Sequence, residues 1–170
     1  MYCLGGQTED GKALFSVSKL NPTNNHWESV TIMPTTKSYF GATVIGKKIY
    51  VSGGWSGNKK LNLLEVYDCE SNAWAELTPM QNVRSDFGMT NLNEYIFVTG
   101  GLNVSGYPLS SVLKYSPETN VWTEVKPMNE ARYGHELITL NGSIYAIGGR
   151  NKNTVERYSP AIDKWDFVKS

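Results

Sequence analysis

Apolar and polar positions alternate along this chain in short runs broken by Gly, Asn, Asp, Ser and Pro, the pattern of half-buried strands rather than of a helix. Leu64-Glu65-Val66-Tyr67 is one such alternation. Ile49-Tyr50-Val51, Ile96-Phe97-Val98 and Ile144-Tyr145-Ala146-Ile147 are β-branched and aromatic runs that predict more deeply buried strands. The pattern predicts units of four strands. The first strand covers roughly Phe40 to Ile45 and its equivalents, and a tight turn at Gly46-Lys47, Asn93-Glu94 or Asn141-Gly142 leads to the second. Asn-Gly is a strong hairpin signal because both positions tolerate φ > 0. A variable loop precedes the third strand. The link to the fourth is Asp68–Asn72, Ser116–Asn120 or Ser159–Asp163, where Pro presets φ and Asn or Asp accepts the left-handed conformation. No segment shows a helical period, so no helix is predicted.

The units recur. Paired glycines fall at Gly5-Gly6, Gly53-Gly54, Gly100-Gly101 and Gly148-Gly149, steps of 48, 47 and 48 residues. Trp27, Trp74, Trp122 and Trp165 travel with them, each seven residues after Leu20, Tyr67, Tyr115 or Tyr158. Met33, Met80 and Met128 follow the tryptophans, and a cation, Lys37, Arg84 or Arg132, opens the next unit. Markers held in one register over such a period indicate a repeat architecture, here sheets stacked as blades. Glycine pairs then belong where another backbone approaches too closely for a Cβ. The hairpin between strands three and four brings each Tyr beside its Trp, and these aromatics are expected to wedge between blades, each burying about 150–250 Å².

The glycine doublet, the Tyr and Trp, the Met and the cation opening the next strand together resemble the Kelch repeat over nearly the whole chain. Pro79-Met80-Gln-Asn-Val-Arg84 and Pro127-Met128-Asn-Glu-Ala-Arg132 are similar to phrases of BTB-Kelch adaptor proteins. The resemblance implies an all-β fold, a Kelch-type β-propeller segment of about four blades of four antiparallel strands, at approximately 1–33, 34–80, 81–128 and 129–170. Leu20 in place of Tyr and Lys37 in place of Arg make the first blade the most divergent. The chain opens in what reads as a second strand, so the first blade lacks its innermost strand, and no spare strand follows Trp165. The expectation is a segment of a larger propeller or an open array, with BTB-type dimerisation only if an upstream domain exists.

Composition narrows the function classes. Lys plus Arg (16) equal Asp plus Glu (16), so no overall field draws the chain to nucleic acid or an anionic membrane. Two cysteines, Cys3 and Cys69, sit at different repeat positions and read as reduced thiols, consistent with a cytoplasmic location. The Asn103 and Asn141 sequons matter only in a secreted chain. His26 and His135, the only histidines, have no nearby Cys or His to complete a ligand set. Gly53-Gly54-Trp-Ser-Gly57 lacks dinucleotide-binding spacing. Neither a cofactor nor catalysis is expected.

In the resembled family, partners dock on the loops between strands two and three and on those leading into the next blade. Here these are Gln7–Lys12, Trp55–Lys60, Leu102–Tyr107 and Arg150–Asn153, with Thr35–Ser38, Gln81–Asp86 and Asn129–Tyr133. The candidate partner-binding residues are Lys37, Tyr39, Trp55, Asn58, Arg84, Asp86, Asn103, Tyr107, Arg132, Tyr133, Arg150 and Lys152. Cations outnumber acids among these loops, which suggests an acidic or phosphorylated peptide, since guanidinium matches carboxylate and phosphate. Two readings stay open for Arg84 and Arg132, surface contact or backbone bonding at a blade junction. Trp55 is either an exposed anchor or a cover over the neighbouring blade. The expected function is a protein-protein interaction module that selects substrates for a cullin-RING ubiquitin ligase adaptor. The alternative is an actin-binding, cytoskeletal scaffold, and a propeller enzyme would need clustered acids or histidines at the central pocket.

Overall fold

Turn residues set where each strand reverses. Asn93 and Glu94 (φ 50° and 63°) and Asn141 and Gly142 (φ 49° and 73°) form tight turns with both residues left-handed. Asn72, Asn120 and Asp163 (φ 56°, 57° and 46°) close the hairpins between third and fourth strands. Between these reversals lie the strands of a computed structural model that describes residues 1–169. Ser170, where the last expected blade ends, lies outside the described residues.

The strands form four antiparallel sheets. The first holds β1 (Tyr2–Leu4), β2 (Leu14–Asn21) and β3 (His26–Lys37). The second holds β4 (Gly41–Ile45), β5 (Lys48–Ser52), β6 (Leu64–Asp68) and β7 (Ala73–Leu77). The third holds β8 (Gly88–Leu92), β9 (Tyr95–Thr99), β10 (Val112–Ser116) and β11 (Val121–Val125). The fourth holds β12 (Glu136–Leu140), β13 (Ser143–Ile147), β14 (Val155–Ser159) and β15 (Lys164–Phe167). Each is a meander in chain order, and β4, β8 and β12 are side-by-side neighbours at the inner edge. The fold is the all-β blade array that the repeat implies. One amendment is a single 3-10 turn at Pro160–Ile162, where a helix-free chain was expected; Pro160 fixes φ at its start.

Apolar faces pack blade against blade. Met33, Met80 and Met128, the repeat methionines, are buried in the three clusters that join successive sheets. Gly53 and Gly54 show why the doublet recurs. Both are left-handed, at φ +58° and +92°, and a Cβ would lie 2.7 Å from the Arg84 carbonyl at Gly53 and 2.6 Å from the Ser38 carbonyl at Gly54. One glycine thus admits the loop entering the next blade, and the other the loop entering its own.

The aromatic pairs meet as the hairpins predict, with ring centroids 5.2 Å apart for Tyr67–Trp74, 4.9 Å for Tyr115–Trp122 and 5.1 Å for Tyr158–Trp165. Each Tyr hydroxyl donates to the left-handed residue of its own turn, Asn72 (2.7 Å), Asn120 (2.7 Å) or Asp163 (2.8 Å). The same unit latches onto the preceding blade. Trp122 Nε1 donates to the Thr78 carbonyl (2.8 Å) and Thr78 N–H donates to Asn120 (2.9 Å). Trp165 and Asp163 hold Lys126 in the same way, at 3.0 Å for both bonds.

The first blade departs from this scheme. Trp27 was expected to wedge between blades and is instead 49 % exposed. Leu20 beneath it offers no ring or hydroxyl, no sheet of the described residues covers it, and the β2–β3 pairing slips register between Leu14 and Ser16 and between Val17 and Ser18. Trp74 Nε1 is buried without a partner, so the latch that blades three and four make is not formed between blades one and two.

Candidate functional site

The loops at one end of the blades are tied into a continuous rim. Ser38 bridges Trp55, Ser85 bridges Leu102, and Leu109 bridges Arg132. A second set of backbone bonds runs from blade to blade: Asp86 N–H donates to the Tyr39 carbonyl (3.0 Å) and Gly134 N–H to the Asp86 carbonyl (2.7 Å). Tyr39, Asp86 and Gly134 share one repeat position, and all three are left-handed, at φ 53°, 58° and 59°. A Tyr and an Asp held in this conformation store backbone strain, which concentrates at functional surfaces. Reading residue types alone missed this strain. Gly134 at the same repeat position was the signal for it.

The repeat cations lie beneath the rim, not on it. Lys37, Arg84 and Arg132 are 0 %, 3 % and 1 % exposed. Arg132 is saturated: its guanidinium donates to Glu156 (3.1–3.2 Å), Glu130 (3.0 Å), the Gly148 and Thr154 carbonyls (2.7 and 2.8 Å) and the Thr154 hydroxyl (2.7 Å). Lys37 forms an ion pair with buried Glu65 at 3.1 Å, and burial pushes its ammonium below the usual lysine range while Glu65 opposes the shift. Arg84 donates to the Gly100 carbonyl (3.0 Å) and the Ser111 hydroxyl (3.2 Å). The expected cationic surplus at the surface is therefore smaller than the residue count suggests. With these three cations buried at blade junctions, the loops present Lys12, Lys59, Lys60, Arg150 and Lys152 against Glu9, Asp10, Asp86 and Glu130, a surplus of one.

Further pairing reduces the free charge. Lys152 Nζ lies 3.0 Å from Glu130, whose carboxyl is held below its usual range by the Thr154 hydroxyl and then by Lys152. Lys60 Nζ donates to the Asn103 carbonyl, and Asn103 Oδ1 accepts from Ser105 and Tyr107 N–H (3.0 and 2.9 Å), fixing that loop.

The residues that reach solvent are mostly uncharged. Tyr39 is 49 % exposed and Tyr107 68 %, and Asn58 and Arg150 are exposed, while Trp55, Asp86, Asn103, Tyr133 and Lys152 are half-buried. Val104, absent from the candidates, is 76 % exposed beside Tyr107. Trp55 sits between the two readings given for it, paired by its backbone to Ser38 and Lys60 and partly open.

His135 is 7 % exposed, with Nε2 2.8 Å from the Thr99 hydroxyl. Burial first, then Arg132, pushes its imidazole down to about 4. It is a neutral packing group between blades three and four, whereas His26 is exposed. Among the described residues no group of three or more His, Cys, Asp or Glu could hold a metal ion, and no helix is long and apolar enough to cross a membrane.

Comparison with known proteins gives a consistent picture. A family model described as "KLHDC2/KLHL20/DRC7 Kelch-repeats domain" matches residues 1–149, and one described as "Kelch motif" matches residues 131–170. Kelch-like protein 41b of Danio rerio is 37 % identical over 71 residues, covering 42 % of this chain and 12 % of that protein. Kelch-like protein 40 of Xenopus laevis is 35 % identical over 71 residues, with the same coverages of 42 % and 12 %. An F-box/kelch-repeat protein of Arabidopsis thaliana is 35 % identical over 68 residues, 40 % of this chain and 18 % of that protein. Each aligned region is thus less than a fifth of the relative's length.

Proposed function

The chain belongs to the Kelch-repeat family, a family of protein-interaction scaffolds, and from that membership we propose that its loop rim docks a protein partner, as the substrate-selecting part of a ubiquitin ligase adaptor. The observation that carries the reading is the exposure of Tyr39, Val104 and Tyr107 on one rim. Large aromatics at solvent-facing loop positions are the residue types that anchor interfaces, and their loops are pre-ordered by the Asn103 turn and the bonds through Asp86. Pre-ordering lowers the entropy lost on docking. Buried histidine and cations locked in internal bonds support a scaffold rather than a reaction centre.

The test is quantitative capture by the protein, wild type against Tyr39→Ala with Tyr107→Ala. The reading expects one captured protein to be retained by wild type, depleted at least about tenfold by the double variant, and ubiquitinated in a reaction dependent on the captured cullin. Cosedimentation with actin filaments in place of a cullin complex would favour the cytoskeletal role instead.

A further inference from the structure

The turn from the third strand of a blade to the fourth opens on one repeat position, and three blades fill it differently. Blade two has Asp68, blade three Ser116 and blade four Ser159, each directly after the buried Tyr of its third strand. Asp68 rests its charge on backbone. Its Oδ1 accepts from the Ser71 and Glu70 N–H groups (3.0 and 2.9 Å), and these bonds hold its carboxyl below the usual range. Successive N–H groups aimed at one point make a seat for an anion.

Blade three builds the same seat around an uncharged group. Ser116 Oγ accepts from Thr119 N–H (3.3 Å), the counterpart of the Ser71 bond, and Glu118 stands where Glu70 stands. Asn72 and Asn120 close the two turns at nearly the same φ, 56° and 57°. A cation stands beside this seat. Lys114, two residues earlier on β10, shares the face of Ser116 and with Ser116, Tyr95 and Thr119 lines a cleft of about 260 Å³. Its Nζ lies 3.6 Å from the centre of the Tyr95 ring and forms no ion pair among the described residues.

We propose that Ser116 is a phosphorylation site for a proline-directed Ser/Thr kinase. Pro117 follows the acceptor, which ends an extended strand and is half-buried at the wall of the cleft. Transfer breaks the bond between the γ-phosphorus of a nucleoside triphosphate and its bridging oxygen and joins that phosphorus to Ser116 Oγ. The hydroxyl proton and the nucleoside diphosphate leave. The phosphate then takes, on the Glu118 and Thr119 N–H groups, the place that the Asp68 carboxylate takes on those of Glu70 and Ser71, and it draws Lys114 from the Tyr95 ring. Glu94 and Glu118 line a second cleft that Ser116 borders, which turns the new charge towards Lys114. Ser159, also followed by proline, is the internal contrast: its side chain makes no bond to its turn, which tightens into the 3-10 turn at Pro160–Ile162 instead. The Ser116 turn lies at the end of the blade opposite the rim, so phosphorylation there is independent of docking on the rim.

The test treats the full chain with a purified proline-directed kinase, ATP and magnesium, and locates phosphate by mass spectrometry. Thr78→Ala with Ser159→Ala, which removes the other two Ser/Thr-Pro pairs, serves as the background. The expected result is phosphate on Ser116 of the native chain, lost in Pro117→Ala of unchanged melting temperature. The Glu118 and Thr119 amide resonances should move downfield on phosphorylation, and phosphorus NMR should place the second ionisation below about 6, the value of an unseated phosphate. Ser116→Asp, which copies Asp68, should move the same two amides without a kinase. The proposal is overturned by no phosphate on Ser116 of the native chain, by transfer only after unfolding, or by equal transfer to folded Pro117→Ala. Turn amides that stay in place on phosphorylation or in Ser116→Asp overturn it as well.

Discussion

Arg132 places all five guanidinium N–H groups inside the protein, and Glu156 in turn accepts from Asn129 and Glu130 backbone N–H at 2.6 and 3.1 Å. Removing one partner strands the other charge, so Glu156→Gln or Arg132→Ala is expected to lower the unfolding free energy by about 3–5 kcal/mol, read by urea denaturation. Tyr107→Ala, on an exposed side chain, should change it by no more than about 0.5 kcal/mol. His135 gives a pH signature. Its imidazole titrates near 4 folded against 6.5 unfolded, so the unfolded chain binds the extra proton between those values. Stability is complete above 6.5 and falls as pH drops towards 4, by a total on the order of 3 kcal/mol. Thermal melts in that window should show the slope in wild type and lose it in His135→Gln. At this scale the repeat marked the cations but not their burial, because the acids that decide it lie on other strands; Glu156, for instance, is 24 residues from Arg132.

At the scale of the strand and its turn, the unit of cohesion is the Tyr, Trp and left-handed Asn or Asp that close one blade and grip the next. Asn120 accepts from both Tyr115 and Thr78, whereas Asn25, at the same position in blade one and nearly the same φ of 56°, lies in a blade whose Leu20 has no hydroxyl to donate. Asn120→Ala should therefore cost more than Asn25→Ala by about 1 kcal/mol, chiefly through the lost partner of the Tyr115 hydroxyl. A similar pair separates crowding from backbone strain. Gly54 and Gly57 have φ of +92° and +100°, but a Cβ added at Gly54 would meet other atoms within 4 Å, and one added at Gly57 would meet none. Gly54→Ala should unfold the chain at a markedly lower denaturant concentration than Gly57→Ala. The strands, hairpins and Tyr–Trp pairs were legible because each is written within about one repeat. The exposure of Trp27 was not, since it depends on what packs beyond its own sheet.

For the whole molecule, the array divides labour between strands that hold and loops that present. The family and blade architecture were legible from markers in register. The docking rim was legible as a set of loops, but its character changed once the structure moved Lys37, Arg84 and Arg132 beneath it and left Tyr39, Val104 and Tyr107 outside. The central claim is that a protein docks on this rim. Hydrogen exchange of the protein, free and bound to its captured partner, tests it directly. The account predicts new protection in residues 55–60, 102–107 and 150–153, with none at the opposite turns, residues 46–47, 68–72 and 93–94. Protection confined to those opposite turns would contradict it.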